Sequence, residues 1–565
     1  MDIVLVTYNS SKWIKCCMEA IAASQGLTQA LNVFVVDNQS SDDTIVQLEQ
    51  FSKDKRFTSF TIDKQTQNLG FGKANNAGAM LGKDDIICFI NVDTEVFPDT
   101  FANLQAEVAA SDAHVGAWEM RQIPFEHPKL YDPVTEETSW MSGAAFAVRR
   151  SIFETIGGFD PQIFMYAEDV DISWRIRAQG YTLKYCPKVM IRHYSYQKEN
   201  EVKPTQYLEA IKNNILLKYR YGNWLTVLKG KLMFWQVYFC HQEPFEGAKR
   251  QLLQNYKKLR KAAPYFKKTR INDRSIAKFL GWDYELIRDG AFIEVQLPKK
   301  QPFVSVIVRT CQRPSVLRET LISIRNQTYP NVEVVVVEDG KSDAKEMIET
   351  EFNDLTIQYY ATGERKGRSV AGNTGLSMAK GEYINFLDDD DLFYADHIET
   401  LVVALQNTDK KAAYSFAFET PVVVHSQEPY EYEVISHIGR HKQSFDKITL
   451  SHHNYIPIQC IMFSRELYEK LGGFDETLDY LEDWDLWVRY MQETDYECVP
   501  KTTSIYKVPA KKQEQAGRQE KLDEALKTVR KKHEGYYVTV PVSSLVALRE
   551  ESLCQVIAKK FRFSR

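Results

Sequence analysis

Short apolar runs recur along the chain, and each is followed by a polar cluster. The first two cover residues 3–6 and 33–36, and the stretch between them, from about residue 12 to 23, has helical spacing. Strand-length apolar runs that alternate with helices are typical of parallel sheets with crossover helices. The beginning of the chain therefore predicts a βαβ unit.

The same pattern returns in the second half. "DIVLVTYN" and "LNVFVVDNQSSD" near the start correspond to "PFVSVIVRTCQRP" and "NVEVVVVEDGKSD" after residue 301, and "IGGFD" corresponds to "LGGFD". The spacing between matched positions drifts, as expected of a duplicated domain whose loops differ in length. We predict two α/β domains at 1–205 and 301–510, joined by a basic helical linker at 206–300 and followed by a helical tail at 511–565.

Two neighbouring carboxylates followed by a third occur in both copies. The first copy reads "MYAEDVDISWR", with Glu168 and Asp169, and the second reads "YLEDWDLWVR", with Glu482 and Asp483. The first copy alone alternates like a strand, but in the second the apolar residues fall on one helical face. A helix that begins at each acidic pair would stabilise its charge through backbone N–H groups and the helix dipole.

These acidic pairs have a structural and a catalytic interpretation. Acidic first turns with ion pairs four residues apart, Asp171–Arg175 and Asp485–Arg489, explain each copy by itself. Their repetition after matching "GGFD" turns favours a second role. A carboxylate beside others at a helix start can stay ionised and still be basic enough to take a proton, as a general base must.

A run of four aspartates, Asp388 to Asp391, closes the apolar stretch "EYINFL". Adjacent carboxylates after a buried strand need neutralisation, and oxygen ligands at the carboxyl edge of a sheet suit Mg²⁺ or Mn²⁺ bound to a diphosphate. A solvated acidic turn is the alternative. The first copy has Asn91 and Asp93 in the matching positions, so its metal site rests on fewer carboxylates.

Composition narrows the class of protein. The 565 residues are 44% hydrophobic and 26% charged with a net charge of −5, which is ordinary for a folded protein and indicates no partner through overall charge. The nine cysteines show no C-x-x-C spacing, so neither a disulfide framework nor a zinc cluster is indicated. Because no stretch reads as a signal peptide or a membrane span, we expect a cytoplasmic protein.

The middle of the chain is strongly basic. Residues 201–280 carry 17 Lys or Arg against 5 Asp or Glu, with aromatic residues interleaved. Basic, aromatic-laced helices can lie against an anionic membrane surface, or they can form a spacer with a solvated basic face. The final "AKKFRFSR" allows the same two interpretations. Peripheral association with the inner face of the cell membrane is therefore one expectation.

Taken in order, the motifs resemble those of the family 2 inverting glycosyltransferases, which have an A-type nucleotide-sugar fold. The markers are "VTYN" and "VRTCQRP", "VVDNQSSD" and "VVEDGKSD", an aspartate motif after a central strand, "GGFD" and the E-D-x-D-x-x-x-R helix. They cover most of both domains and leave out the helical middle and tail. The resemblance implies two mostly parallel, Rossmann-like sheets flanked by helices, and a metal-dependent transfer of sugars from nucleotide-sugar donors.

The resemblance also implies roles for individual residues. Those that would bind the nucleotide are Thr7, Tyr8, Asp37, Thr310, Asp339 and Arg368. Those that would face an Mn²⁺ or Mg²⁺ ion and the diphosphate are Asp93, His193, Asp388 and Asp390. The bases that deprotonate the acceptor hydroxyl would be Asp169 and Asp483.

Two positions depart from the family pattern. The second copy has no histidine that matches His193, a residue that a core or surface position explains about as well. In "GRSVAGNTG", Gly372 stands where an arginine is usual, which leaves Arg368 as the residue that would reach a phosphate.

The first copy looks most like bacterial rhamnosyltransferases, which use dTDP-rhamnose, and the second like enzymes that transfer hexoses from UDP or dTDP. Acceptors of such enzymes are often lipid-linked glycans, so we expect one polypeptide that adds two sugars to a bacterial cell-surface polysaccharide precursor, with no nucleic-acid partner. In the main alternative, one copy is an inactive carbohydrate-binding or scaffolding module. A nucleotidyltransferase would need an early Gly-rich phosphate loop, which "VTYNSSKW" lacks.

Overall fold

The computed structural model describes residues 1–126, 129–194, 203–273, 275–290, 293–440 and 442–539. The chain divides into two compact units, Met1–Val295 and Gln296–Arg565. Helices from the segment predicted as a linker belong to the first unit. The basic "AKKFRFSR" end lies outside the described residues.

The first unit contains one eight-stranded sheet. Its strands are β1 (Asp2–Thr7), β2 (Asn32–Asp37), β3 (Ser59–Lys64), β4 (Ile86–Ile90), β5 (Thr94–Val96), β6 (Val115–Ile123), β7 (Ala145–Arg149) and β8 (Thr182–His193). Its helices are α1 (Ser11–Ala22), α2 (Thr44–Phe51), α3 (Phe71–Ala79), α4 (Thr100–Ala110), α5 (Arg150–Thr155), α6 (Glu168–Ala178), α7 (Pro204–Tyr221), α8 (Trp224–Cys240) and α9 (Ala248–Lys268).

The second unit repeats this arrangement with one additional strand. Its strands are β9 (Val304–Thr310), β10 (Val332–Glu338), β11 (Ile357–Ala361), β12 (Tyr383–Asp388), β13 (Leu392–Phe393), β14 (Ala412–Gln427), β15 (Tyr430–Val434), β16 (Ile461–Ser464) and β17 (Tyr496–Pro509). Its helices are α10 (Pro314–Arg325), α11 (Lys345–Glu351), α12 (Arg368–Met378), α13 (His397–Gln406), α14 (Lys447–His452), α15 (Arg465–Leu471), α16 (Glu482–Tyr490) and α17 (Lys512–His533), with a 3₁₀ turn at Ile458–Cys460.

The two sheets match strand for strand. The orders are β3-β2-β1-β4-β7-β6-β8-β5 and β11-β10-β9-β12-β16-β14-β17-β13, with β15 paired to β14 outside this path. In each sheet the first four strands are parallel, whereas the next strand, β7 or β16, is antiparallel to its neighbours. The predicted α/β fold in two copies is confirmed, with sheets that mix both directions in their second half.

The parallel strands are apolar on both faces because helices cover both faces. In β1, Ile3 and Leu5 belong to a buried cluster that includes Ile14 of α1. Val4, between them in sequence, belongs to another cluster that includes Ala79 of α3. Side chains alternate across a strand, so this burial explains why the run reads as continuously hydrophobic.

Helices that follow each sheet pack onto its acidic helix. In the first unit, Trp174 of α6 is fully buried and contacts Tyr221 of α7 edge to face at 4.9 Å between ring centroids. In the second unit, Trp484 of α16 contacts His533 of α17 at 5.2 Å. Within the described ranges, no helix combines the length and apolarity needed to cross a membrane.

Candidate active sites

The acidic pairs lie at helix starts in both units, as the second copy predicted. Helix α6 begins at Glu168 and α16 at Glu482. The residue before each helix is left-handed, with φ of 67° at Ala167 and 60° at Leu481. A residue with a side chain rarely adopts this conformation, and such strain tends to persist where function requires a local geometry. The same strain in both copies marks these helix starts as candidate sites.

Burial separates the two carboxylates of each pair. Glu168 and Glu482 are buried, whereas Asp169 and Asp483 are half-buried. Burial and the neighbouring Asp169 raise the pKa of Glu168 well above its ordinary value. Glu482 accepts a hydrogen bond from Arg309 Nη1 at 3.0 Å. The aspartate is therefore the member of each pair that a substrate could reach.

Asp169 is held by two backbone groups. Its Oδ2 accepts from the Gly143 N–H at 2.9 Å, and its Oδ1 accepts from the Val170 N–H at 2.8 Å. Burial raises the pKa of Asp169, and these two hydrogen bonds offset part of that effect because they favour the ionised form. The result is a fixed carboxylate with more than ordinary affinity for a proton.

The same loop connects Asp169 to the acidic end of β4. Ala144, which follows the Gly143 that binds Asp169, accepts a hydrogen bond from the Asn91 N–H at 2.9 Å. Asn91 is two residues before Asp93. The predicted base and the predicted metal ligand of the first unit therefore lie on adjoining segments.

Asp483 occupies the matching position with a different partner. Its Oδ1 accepts from the Trp484 N–H at 2.8 Å, and its Oδ2 accepts from the Asn454 side-chain amide at 2.9 Å. Burial, followed by the charge of Glu482, raises the pKa of Asp483 to about 7. A carboxyl group that titrates near neutral pH is suited to exchange a proton during a reaction.

One arginine joins the acidic helix to the aspartate run in the second unit. Arg309, in β9, donates to Asp388 from Nε at 2.9 Å and from Nη2 at 2.7 Å, and it also reaches Glu482. Burial opposes ionisation of Asp388, but Arg309 and Arg368 outweigh it and leave its pKa below the ordinary value. Asp388 and the start of α16 thus share one guanidinium group.

Gly372, the departure from the family pattern, lies beside this arginine. A Cβ atom added at Gly372 would lie 2.6 Å from the Phe474 ring and 3.5 Å from Arg309 Cδ. An arginine side chain at 372 would therefore collide with the space that Phe474 and Arg309 occupy. The guanidinium next to Asp388 comes from strand β9 instead.

The predicted metal-ligand residues of the first unit are brought together by the sheet. The antiparallel pairing of β5 with β8 places Thr94 opposite His193, and His193 Nε2 lies 3.5 Å from Asp93 Oδ1. Nδ1 of the same ring is paired with Gln122 Oε1 at 2.8 Å. Among the residues that the structure describes, the buried His193 Nε2 has no hydrogen-bond partner. A histidine oriented through one nitrogen, with the other facing a carboxylate, fits a divalent metal ligand.

The carboxylates of the second unit already face arginines. Asp389 is buried, accepts from Thr310 Oγ1 at 2.6 Å and is paired with Arg313. Asp390 lies 3.4 Å from Arg313 and keeps 39% of its side chain exposed. With Asp388 bonded to Arg309, Asp390 is the carboxylate with most room for a metal ion. The fit to a metal is weaker here than in the first unit.

Neither unit provides a complete metal shell by itself. Across the part of the chain that the structure describes, no three His, Cys, Asp or Glu side chains are grouped to hold an ion. Mg²⁺ and Mn²⁺ commonly take one or two carboxylates and fill their remaining positions with substrate phosphates and water. The pairs found here are compatible with that mode of binding.

The predicted nucleotide residues of the first unit lie at the carboxyl ends of β1 and β2. Thr7 and Asp37 are register partners, and Thr7 Oγ1 donates to Asp37 Oδ1 at 2.8 Å. Asp37 also accepts from the Ser40 N–H at 2.9 Å. Both residues are buried, and Tyr8, which follows, is exposed. This edge is where ligands bind in open parallel sheets.

In the second unit, the matching residues Thr310 and Asp339 bind different partners instead of each other. Asp339 accepts from the backbone N–H groups of Lys366, at 2.6 Å, and Gly367, at 2.9 Å, which precede α12. Thr310 donates its hydroxyl to Asp389 rather than to Asp339. Arg368, the first residue of α12, is exposed and lies 3.9 Å from Glu482. Arg368 therefore connects the nucleotide region with the acidic helix.

Sequence reasoning assigned no role to several residues of the site. Arg309, Arg313, Asn454 and Gly143 contact the predicted aspartates but lie far from them in sequence. Arg309 has one signal, because a charged residue stands inside the otherwise apolar run "VSVIVRT". Buried charges require a partner, so that position indicates an ion pair without naming the carboxylate.

Comparison with known proteins agrees with this fold. The family model for glycosyl transferase family 2 matches residues 2–173 and 305–472. An uncharacterised glycosyltransferase of Rickettsia typhi is 30% identical over 191 residues, which cover 34% of this chain and 59% of that protein. Glycosyltransferase GlyA of Streptococcus pneumoniae is 42% identical over 99 residues, 17% of this chain and 14% of its own. The chain thus spans about three-fifths of the length of the rickettsial relative.

Similarity to solved structures is low in sequence and in TM-score. A mannosyltransferase from Pyrobaculum calidifontis, in complex with GDP-Man and Mn²⁺, is 19% identical with a TM-score of 0.31, over 47% of this chain and 72% of that one. A fragment of TarS from S. aureus, in complex with UDP-GlcNAc, is 14% identical with a TM-score of 0.32, over 48% of this chain and 83% of the fragment.

Proposed function

This chain belongs to glycosyltransferase family 2, and we propose that each unit transfers a sugar from a nucleotide-sugar donor with inversion at the anomeric carbon. One observation made in both units carries the proposal. In each unit, a half-buried aspartate at a helix start is linked to the end of a central strand. Asp169 is bonded to Gly143, whose neighbour Ala144 is bonded to Asn91 after β4. Glu482, next to the half-buried Asp483, shares Arg309 with Asp388 at the end of β12.

In the proposed reaction, Asp169 or Asp483 accepts the proton of an acceptor hydroxyl. The hydroxyl oxygen forms a bond to the anomeric carbon on the face opposite the diphosphate. The bond from that carbon to the diphosphate oxygen breaks, and the nucleoside diphosphate leaves with the electron pair. The raised pKa of each aspartate supports this role, because a carboxylate with a very low pKa is too weak a base to accept a proton from a hydroxyl group.

The nucleotide is proposed to lie at the carboxyl ends of the first two strands of each sheet. In the first unit Thr7, Tyr8 and Asp37 would contact it, with the Thr7–Asp37 hydrogen bond fixing the carboxylate. In the second unit Thr310, Asp339 and Arg368 would do so. Arg368 is exposed, so its guanidinium can turn toward a phosphate.

A divalent ion, Mn²⁺ or Mg²⁺, would be held by Asp93 and His193 in the first unit and by Asp390, with Asp388, in the second. When bound, such an ion offsets the negative charge that develops on the leaving diphosphate. In the second unit, Arg309 and Arg313 already hold the aspartates in position through ion pairs.

We propose dTDP-rhamnose as the donor of the first unit and a UDP- or dTDP-hexose as that of the second. The acceptor would be a lipid-linked precursor of a bacterial cell-surface polysaccharide, reached from the cytoplasmic face by peripheral contact with an anionic membrane. In a second candidate, one unit is catalytic and the other binds carbohydrate or acts as a scaffold. The ion pairs of Asp388 with Arg309 and of Asp390 with Arg313 favour an inactive second unit. The single carboxylate of Asp93 favours an inactive first unit.

The test is a panel of nucleotide sugars incubated with lipid-linked acceptors and the wild type, Asp169→Asn or Asp483→Asn. Asp409→Asn, at an exposed position of the second unit, is the control. Each site variant should lose a different transfer by ~10²–10⁴-fold. If only one variant loses a transfer, the single-catalyst candidate holds; if neither does, the assignment of the bases is wrong.

A further inference from the structure

A cavity of about 430 Å³ lies in the first unit, between α7, the start of α8 and residues 270–272 and 277–281. Three of the described residues that line it are cations, Lys218, Lys229 and Arg270, and no described lining residue is Asp or Glu. Concave surfaces lined by charge of one sign concentrate ions of the opposite sign. The lining is therefore suited to an anion.

Lys218 is the most buried of the three cations, and none of the described carboxylates is paired with it. Its side-chain ammonium donates to Asn214 Oδ1 and, at 3.0 Å, to the Gly281 carbonyl oxygen, and both acceptors are neutral. The residue is 2% exposed, and burial lowers its pKa to about 8. A buried ammonium without a counter-ion is costly, so an anion in the cavity would stabilise it.

The other two cations are available to a ligand. Lys229 and Arg270 are exposed, and neither side chain forms an ion pair or hydrogen bond with the residues that the structure describes. Asn223 caps α8 by accepting from the Thr226 N–H at 2.9 Å, and both residues line the cavity. The positive end of the α8 dipole adds to the attraction for an anion.

Helix α8 also exposes a stripe of large apolar side chains. Its members are Trp224, which is 72% exposed, Leu225, Leu228, Leu232 and Phe239. From Leu225 onward the spacing is i, i+3, i+7 and i+14, which places these side chains on one face of the helix. Soluble surfaces seldom leave such a face uncovered, and a helix of this kind can lie in the plane of a membrane interface.

We propose that the cavity binds the phosphate headgroup of an anionic membrane lipid while the α8 stripe enters the bilayer interface. Residues from the first turns of α8 contribute to both the cavity and the stripe. A lipid with an anionic headgroup and apolar chains would therefore occupy both. A free phosphate would use the cavity and leave the stripe exposed. The inference rests on the membrane contact proposed above and is independent of the chemistry of sugar transfer.

The test is co-sedimentation of the full chain with phosphatidylcholine vesicles, with and without phosphatidylglycerol. Lys229→Gln combined with Arg270→Gln removes two cavity charges, and Leu228→Ser combined with Leu232→Ser disrupts the stripe. Lys53→Gln combined with Lys55→Gln removes two exposed charges of the same unit elsewhere. Circular dichroism verifies folding, and donor hydrolysis in solution reports the proposed enzymatic function separately.

Phosphatidylglycerol vesicles should bind the wild type, and the cavity variant should bind them roughly 30-fold more weakly, from about 1 kcal/mol per basic residue. The stripe variant should also lose binding, and the control should keep it. Equal loss in the control would overturn the proposal, because any surface charge would then suffice. It would also be overturned if glycerol phosphate in solution bound the protein while the vesicles did not.

Discussion

Asp169 and Asp483 occupy matching positions, but different groups donate a hydrogen bond to their Oδ2 atoms. A backbone N–H from Gly143 binds Asp169, whereas a side-chain amide from Asn454 binds Asp483. A backbone donor is removed only by proline, which also alters the backbone, whereas a side-chain donor is removed by a simple truncation. The second unit therefore allows the proton affinity of the proposed base to be changed without altering the base itself.

The pH dependence of the second unit follows from Asp483. Its pKa of about 7 leaves the carboxyl protonated, and inactive as a base, below that pH. Transfer by this unit should therefore rise with pH through about 7 and then level off. The charged groups that act with Asp483 are Glu482 and Arg309, and Tyr506 also faces it. Initial rates between pH 5.5 and 8.5 measure the midpoint.

Asn454→Ala provides the matched variant for that profile. The lost hydrogen bond favours the ionised form of Asp483, so its removal should raise the midpoint above that of the wild type. A profile that is flat from pH 6 to 8 in the wild type would show that Asp483 does not titrate in the rate-limiting step.

Substitution of Asp483 should stabilise the fold above neutral pH. Its folded-state pKa is raised above that of an unfolded chain, so the stability linked to its proton is present in acid and is lost as pH rises through about 7. Asp483→Asn removes this loss and should raise the unfolding temperature more at pH 8 than at pH 5, because the loss grows from the pKa of an unfolded aspartate, about 4, up to about 7. Calorimetry at both values checks the sign, and a lower unfolding temperature at pH 8 would contradict it.

Mn²⁺ binding should depend more on Asp390 than on Asp388, although the sequence predicts both as metal ligands. Asp390 is open, whereas Asp388 is bonded to Arg309, so Asp390→Asn should weaken Mn²⁺ binding more than Asp388→Asn. The expected loss for Asp390→Asn is on the order of tenfold or more. Titration of Mn²⁺ in the presence of a nucleoside diphosphate measures it. Equal losses would show that the ion displaces Arg309.

At the scale of elements, the acidic helices are anchored by the helix that follows each sheet. In the first unit, Arg220 of α7 donates to Asp171 at 2.6 Å and to Asp160 at 2.5 Å. In the second, Lys532 of α17 reaches the matching carboxylates, Asp485 at 2.9 Å and Asp475 at 2.7 Å. Helices outside the matched family regions thus fix the helices that carry the proposed bases.

The two anchors should differ in their effect on stability. Arg220 is 2% exposed, and Arg220→Met would take away the ion pair of the buried Asp160 and leave the buried Asp171 with Arg175 alone, so it should cost about 3–5 kcal/mol. The Lys532 side chain is 31% exposed, so water can replace it and Lys532→Met should cost less. Urea unfolding of each variant measures the difference. A larger loss for Lys532→Met would mean that α17 carries more of the stability than its exposure indicates.

The helices and strands that could be predicted are those whose sequence pattern involves only neighbouring residues. The strand runs and the start of α16 were read correctly, because alternation and helical spacing are properties of neighbouring residues. The antiparallel β7 and β16 were not anticipated, since strand direction is set by connections along the whole chain. Arg220, too, carries no local sign that Asp171, 49 residues earlier, is its partner.

At the scale of the whole molecule, the duplication of the α/β domain is the feature predicted most clearly from the sequence. Matching the two copies predicted one fold twice, and both sheets follow the same strand order. The site chemistry was predictable only in part, because each copy neutralises its aspartates differently. His193 faces Asp93 in one unit, while Arg309 and Arg313 face the aspartates of the other. Those pairings depend on three-dimensional contacts between segments that share no motif.

The most direct test of two proton-accepting sites on one chain is a mixing experiment. Asp169→Asn and Asp483→Asn, each tested alone with both donors and the lipid-linked acceptor, should fail to make the two-sugar product. An equimolar mixture should restore it, since each variant retains the site that the other lacks, and the double variant should remain inactive. Full two-sugar product from either single variant would contradict the account.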